Sequence, residues 1–259
     1  TLNLKNIVNM TDAHADYSDI IEVIADMSPD KYYKFVFQHP FDFYQRRVRM
    51  IGAEGFNNVL DAGHGFGQWS IALAQVNKFV TGVDRNEPRL KISQVVKDHY
   101  AQDNVDFRLL DVADISDEFP AKDFDLVWTW NTIQFMDRGS SMTSFNKVLK
   151  KAGVLIIGGT NTSMRWLYKI FVGLRMGIKN KGYYKACYKG FRGAEDETGA
   201  NAINFSTASK TAEKYGFELE EIGYDGEICL DQEAPLHFES TPLKLFQNIE
   251  MRLVKVRDI

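Results

Sequence analysis

Residues 59–70 read "VLDAGHGFGQWS". A short apolar run, Val59 and Leu60, ends in Asp61, and Gly63, Gly65 and Gly67 follow at alternate positions. Glycine has no Cβ, so its backbone takes left-handed angles at little cost and lets another group come close. The next stretch, "GQWSIALAQV", offers Trp69, Ile71, Leu73 and Val76 for packing and reads as a helix. Strand, glycine turn and helix in that order place free N–H groups and the positive end of a helix dipole at the turn. In an open α/β sheet that turn lies at the carboxyl ends of the strands, where ligands bind.

Outward from this stretch the same alternation continues. "FVTGVD" predicts a second strand ending in Asp84, and "EPRLKISQVVKDHYAQ" a helix with Pro88 near its start, where a missing N–H costs little. "VDFRLLDV" and "FDLVWTWN" predict two more strands; "SSMTSFNKVLKKAG" predicts a helix closed by Gly153, and "VLIIGGT" a fifth strand. Strands alternating with crossover helices imply a parallel sheet covered on both faces. The nearly unbroken apolar runs "VLII" and "DLVW" agree, because such strands are buried on both sides. Before the first strand, "SDIIEVIADM" and "FDFYQRRVRMIGAEG" read as helices. After the insertion, "STASKTAEKYGFELEEIGYD" reads as a helix and a strand, and "IEMRLVKVR" as a last strand that can return antiparallel. The expected organisation is an N-terminal helical cap over 1–54, an α/β core over 55–160, an inserted lid over 161–205, and completion of the sheet over 206–259.

The chain of 259 residues suits one large domain, or one domain with an inserted cap, and its 44% apolar and 25% charged residues are ordinary for a globular protein. Cys187 and Cys229 have no close spacing partner and fit a reducing compartment better than a disulfide framework. No run reaches the roughly 18 apolar residues of a membrane span, and the opening "TLNLKNIVNMTDAHADYSD" has no apolar leader core. The expected location is the cytoplasm. A net charge of −4 argues against nucleic acid as a partner.

Two ligand classes compete for the glycine turn. A dinucleotide fingerprint, G-x-G-x-x-G or A, places Gly63 and Gly65 well but meets Gln68 where the last small residue belongs. The pattern D-x-G-x-G-x-G instead resembles the first motif of the class I S-adenosylmethionine-dependent methyltransferases. "VTGVDRN" resembles that family's second strand, "RLLDVAD" the end of its third, "KDFDLVWTWNTIQFM" its fourth-strand motif and "LKKAGVLIIGGT" its helix, turn and fifth strand. The resemblance covers about 55–160 strongly and 206–257 more loosely.

This resemblance implies a Rossmann-like fold with a mostly parallel seven-stranded sheet, helices on both faces and a helical lid. It implies S-adenosylmethionine as cofactor. Asp61, Gly63, Gly65 and Gly67 would form the loop around it, with Asp61 near its amino acid end. Asp84, followed by Arg85, would bind the ribose hydroxyls, since a carboxylate accepts two hydrogen bonds at once. Asp111 would take the adenine amino group and Val112 its ring edge. Asn131, beside Trp130, would lie between cofactor and acceptor. His64, where the family often has a small residue or cysteine, reads as a tolerated variant because its backbone can still serve.

The implied reaction is a single displacement in which the protein holds nucleophile, methyl carbon and sulfur in line. An oxygen acceptor can call for a general base. His39, in "YYKFVFQHPFDFY", and His237, in "APLHFES", are the candidates; His99 sits on a charge-rich helix and reads as solvated. No metal-ligand cluster is evident. Trp69 and Trp130 offer aromatic faces near a sulfonium, with plain packing as the competing reading.

Residues 161–192 carry eight Lys or Arg and no Asp or Glu. Trp166, Leu167, Ile170, Phe171 and Leu174 recur there at helical spacing. The stretch reads as a core-facing helix with a solvated basic side, as a cap that recognises an anionic acceptor, or, over 163–192, as an amphipathic element that meets anionic lipid. The expected acceptor is a small molecule or glycan-type metabolite, methylated at oxygen. The alternatives are a dinucleotide-dependent oxidoreductase and a non-catalytic binding module on the same scaffold. No "NPPY"-type tetrapeptide follows the fourth strand, which counts against a nucleic-acid nitrogen methylase.

Overall fold

Strands β1 (Val59–Ala62), β2 (Val80–Asp84), β3 (Val105–Leu109), β4 (Phe124–Trp130), β5 (Leu149–Thr160), β6 (Phe217–Tyr224) and β7 (Asn248–Lys255) form one sheet in the order β3-β2-β1-β4-β5-β7-β6. The computed structural model describes residues 17–27, 32–37, 39–160, 205–228 and 248–259. β1 pairs in parallel with β2 and β4, β2 with β3, and β4 with β5. β7, the strand that the alternation of "IEMRLVKVR" predicts, runs antiparallel to both β5 and β6. The first three central strands are buried along their whole or nearly whole length, and the edge strand β3 is exposed at its end.

Side chains alternate between the two faces of the sheet. Val59, Leu126, Trp128, Trp130 and Ile156 point to one face, under α1 (Tyr17–Ala25), α3 (Phe41–Met50), α4 (Gln68–Ala74) and α5 (Glu87–His99). Leu60, Ala62, Val127, Leu155 and Ile157 point to the other, where α6 (Ile115–Glu118), α7 (Arg138–Val148) and α8 (Phe205–Lys214) supply Ile115, Phe145, Val148, Ala208 and Ala212. The mostly parallel seven-stranded sheet with helices on both faces is therefore present.

Local chemistry sets the helix ends. Asn86 caps α5 by accepting the Arg89 N–H at 3.0 Å, with Pro88 inside the first turn. Asp137 caps α7 through the Ser140 N–H at 2.8 Å. Two boundaries and one additional helix differ from expectation. α7 ends at Val148 instead of continuing to Gly153; Leu149 already pairs with Phe124 in β5. The ladder then jumps to Leu126–Val154, and Ala152 takes φ 59° within the excursion. Gly153 serves this crossing, since a Cβ there would stand 2.8 Å from the Lys150 carbonyl oxygen. α3 stops at Met50, where Ile51 leaves helical angles and Gly52 turns left-handed at φ 72°. A short helix, α2 (Tyr32–Val36), lies in the aromatic segment, whose crowded rings mask any helical period. The expected lid over 161–205 lies, but for Phe205, outside the described residues.

Candidate functional site

The carboxyl end of β1 turns through the glycine loop onto α4. Gly63 and His64 both donate to the Val83 carbonyl, at 2.7 and 3.1 Å, so the loop is tied to β2 as soon as β1 ends. The glycines take φ 85°, 58° and 89° at Gly63, Gly65 and Gly67. They do different work. A Cβ on Gly63 would stand 2.2 Å from Thr132 Cγ2, and one on Gly67 would stand 2.9 Å from the Phe107 ring. Both are filled by the protein itself. Gly65 has nothing within 4 Å of its would-be Cβ, so the loop borders open space there.

Asp84 stands at the end of β2 and is buried. Its Oδ2 accepts the Gly65 N–H at 3.0 Å and its Oδ1 the Asn86 N–H at 2.9 Å. The carboxylate is thus fixed in orientation against the open glycine, and each oxygen keeps a second lone pair for a ligand. Asp61 is buried one strand away and accepts the Ser70 hydroxyl at 2.5 Å. Burial pushes its carboxyl up to about 7; Ser70 pulls it down, and the charge of Asp84 adds to the rise. His64 is buried, its ring 4.6 Å from that of Phe107. Burial lowers its imidazole to about 4, against the opposing pull of Asp84.

Asp111 caps the turn 112–114, accepting the Ala113 N–H at 3.0 Å, while Val112 is buried behind it. Arg85 reaches Asp111 Oδ2 at 3.3 Å, but the two side chains are 65% and 38% exposed, so this pair contributes little to stability. Asn131 takes φ 55° at the end of β4, donates its N–H to Gly158 at 2.8 Å and accepts the Asn248 amide at 2.6 Å. Thr132 Oγ1 lies 3.1 Å from the Gly63 carbonyl and 3.0 Å from that of Trp130, which ties the β4 end to the glycine loop. The structure therefore gathers Asp61, Gly63, Gly65, Gly67, Asp84, Arg85, Asp111, Val112 and Asn131 along the carboxyl ends of β1 to β4.

His39 precedes α3, and its ring stacks on Phe43 at 4.1 Å and meets Tyr44 edge-on at 6.2 Å. His237 and the basic stretch 163–192 lie outside the described residues.

A second cluster centres on Arg47, Asp225 and Glu250, which the sequence does not single out, beside Trp69 and Trp130, which it does. Arg47 of α3 is 2% exposed; it donates to Asp225 Oδ1 at 2.8 Å and pairs with Glu250 Oε1. Its guanidinium carbon stands 5.5 Å from the Trp130 ring centre. Trp69, Trp128 and Trp130 pack together with centroids 4.8–5.2 Å apart, and Tyr44 meets Trp69 edge-on at 4.8 Å. Some signal exists: Tyr44, Arg47 and Val48 are spaced to share one face of α3, so Arg47 interrupts an apolar stripe. Glu250 carries no such signal, because in "IEMRLVKVR" it occupies a position that alternation assigns to solvent. α3 covers that position instead.

Residues 56–204 match the family model described as "Methyltransferase domain". A protein of Geobacillus sp. (strain WCH70), named as a methyltransferase, is 36% identical over 67 residues, which are 24% of this chain. The match spans 27% of that protein's length, about a quarter. A methyltransferase structure from Bacillus halodurans C-125 superposes with a TM-score of 0.59 at 20% identity, covering 82% of this chain and 98% of that one. The magnesium protoporphyrin IX methyltransferase of Synechocystis PCC 6803, solved with bound S-adenosylhomocysteine, gives 0.55 at 18% identity, covering 92% and 94%. Similarity at these identities shows a shared Rossmann-like class I fold.

Proposed function

This chain belongs to the methyltransferase-domain family of class I, S-adenosylmethionine-dependent proteins, and on that premise we propose that it transfers a methyl group to a small-molecule acceptor, at oxygen. The observation that carries the reading is the pairing of Gly65 with Asp84. An open left-handed glycine and an oriented carboxylate meet at one point, with the acceptor capacity a ribose diol requires. Gln68 Oε1, buried at the start of α4 without a hydrogen-bond partner among the described residues, adds an acceptor beside the same loop.

S-adenosylmethionine supplies a methyl group on an electrophilic sulfonium. The chain's residues do the rest. Asp84 holds the ribose, with Arg85 next to it on the rim. Asp111 takes the adenine amino group and the Val112 backbone the ring edge. Asp61, in its charged form, faces the ammonium of the amino acid end. Asn131, fixed by Gly158 and Asn248, lines the boundary between cofactor and acceptor. Segments 1–54 and 161–205 build the cap that excludes water, and the basic stretch 163–192 recognises an anionic or glycan-type acceptor or touches anionic lipid. His39 and His237 are the general-base candidates for such an acceptor. The enzyme works in the cytoplasm.

The dinucleotide alternative fails at Gln68, and retained Asp61, Asp84 and Asp111 argue against a scaffold that has lost its cofactor. Calorimetric titration tests the proposal. S-adenosylmethionine binds and NAD does not, and Asp84→Ala weakens the former by about 10–100-fold, the worth of hydrogen bonds to a charged group. Equal affinity of the variant and the parent sinks the reading.

A further inference from the structure

Trp130, Gly158, Glu250 and Gly223 stand in register on β4, β5, β7 and β6, at the carboxyl edge. A Cβ on Gly158 would lie 2.4 Å from the Trp130 ring, so the indole lies across β5 on the side of β7. Arg47 bridges Trp130 and Glu250 across Gly158, its guanidinium over the Trp130 ring and paired with Glu250 Oε1. The Gly226 N–H also binds Oε1, at 3.0 Å. Two atoms are left over. Among the described residues, Trp130 Nε1 and Glu250 Oε2 are both buried and neither has a hydrogen-bond partner. Unpaired buried polar atoms are rare in proteins, because nothing replaces the water they lose.

The pair consists of one obligate donor and one acceptor. An ammonium, the main form of an alkyl amine at neutral pH, can only donate, so it would satisfy Glu250 and leave the indole N–H unpaired. A carboxylate can only accept and would be repelled by Glu250. A hydroxyl does both. Resting on the methyl-transfer reading, we propose that Trp130 Nε1 and Glu250 Oε2 form the seat of the acceptor hydroxyl, with Arg47 as the positioning residue that fixes both. As the hydroxyl oxygen bonds to the methyl carbon, the carbon–sulfur bond breaks with its electron pair left on sulfur. The hydroxyl proton passes to Glu250 Oε2 and then to water.

The test uses the full chain saturated with S-adenosylhomocysteine, with saturation measured calorimetrically in the same sample, and phenol as the hydroxyl probe. The chain has four tryptophans, so the indole N–H region of a nitrogen-15 spectrum is simple, and sequential assignment identifies Trp130. Phenol is expected to move the Trp130 Nε1–H resonance downfield. Glu250→Gln, which keeps the side chain's shape, is expected to weaken phenol binding by about tenfold or more while S-adenosylhomocysteine affinity holds. An unmoved Trp130 resonance overturns the seat, as does a Glu250→Gln protein that binds phenol like the parent. Benzylamine binding more tightly than phenol overturns it too. The resonance measurement on the parent protein stands even if the variant fails to fold. Failure of S-adenosylhomocysteine to bind overturns the methyl-transfer reading itself, and is read separately.

Discussion

In the proposed nucleoside half of the carboxyl edge, most of the bonds that set the geometry join residues close in the chain: Asn86 to Asp84 spans 2 positions, Ser70 to Asp61 9 and Gly65 to Asp84 19, with Thr132 to Gly63, at 69, as the tie to β4. In the half built on β4, β5, β7 and β6, Asn248 to Asn131 spans 117 positions and Arg47 to Asp225 178. The first half is a local device. Its carboxylate Asp84 is satisfied by backbone N–H groups of the loop it borders, and the loop opens outward at Gly65. The second is a tertiary device, in which a buried guanidinium from α3 meets carboxylates from the far end of the chain. Burying those charges is costly unless all are paired, so its geometry is held by the same interactions that hold the cap to the sheet.

The comparison breaks most readily at Arg47. Arg47→Met removes a buried cation from Glu250 and Asp225 and is expected to cost about 3–5 kcal/mol in urea unfolding. S-adenosylhomocysteine affinity, measured where the variant is folded, stays nearly unchanged because Asp84 and Gly65 are untouched. A large loss of affinity with little loss of stability would join the two halves into one device.

Within the nucleoside half, two glycines sharpen the contrast between protein-filled and ligand-facing positions. Gly63→Ala adds left-handed strain at φ 85° and drives a Cβ into Thr132, for roughly 2–4 kcal/mol of stability. Gly65→Ala meets open space and costs only the backbone strain, roughly 1 kcal/mol, yet its methyl group projects where the ligand approaches. Denaturant unfolding and calorimetry should therefore rank the two in opposite orders. Identical rankings would mean that Gly65 does not face the ligand.

The smallest expected effect is the proton on Asp61. Its carboxyl stays protonated in the fold up to about 7, against 3.8 ordinarily, because it is buried. The stability this supplies is complete below the ordinary value and is lost as pH rises through 7. In the proposed site the charged form is the one that pairs with the ligand's ammonium. Affinity for S-adenosylhomocysteine is thus expected to rise by up to about tenfold from pH 6 to 8 as stability declines. 5′-Methylthioadenosine, which lacks the amino acid, should show no such rise. A flat profile for both ligands removes Asp61 from the amino acid end.

Much of the core was legible because strands and crossover helices announce themselves by period, and the glycine loop by composition. The ends of α3 and α7 were less so. Gly153 reads as a helix stop, but the sheet claims Leu149 first, since pairing with β4 outweighs four more residues of helix. His39 drew notice as an imidazole among aromatics, and the fold stacks it on Phe43. Glu250 was hidden for the opposite reason, an acid at a position that alternation gives to solvent.

The sequence by itself determined the order of strands and helices, the turn at Gly63 to Gly67, and the acids that end β1 and β2. Each depends on neighbours within about one βαβ unit, so local spacing encodes it. Only the tertiary structure decided which glycine is open, how Asp84 is oriented, and that Arg47, Trp130 and Glu250 meet. Those facts depend on which faces of the sheet become covered, and burial is a property of the whole packed chain.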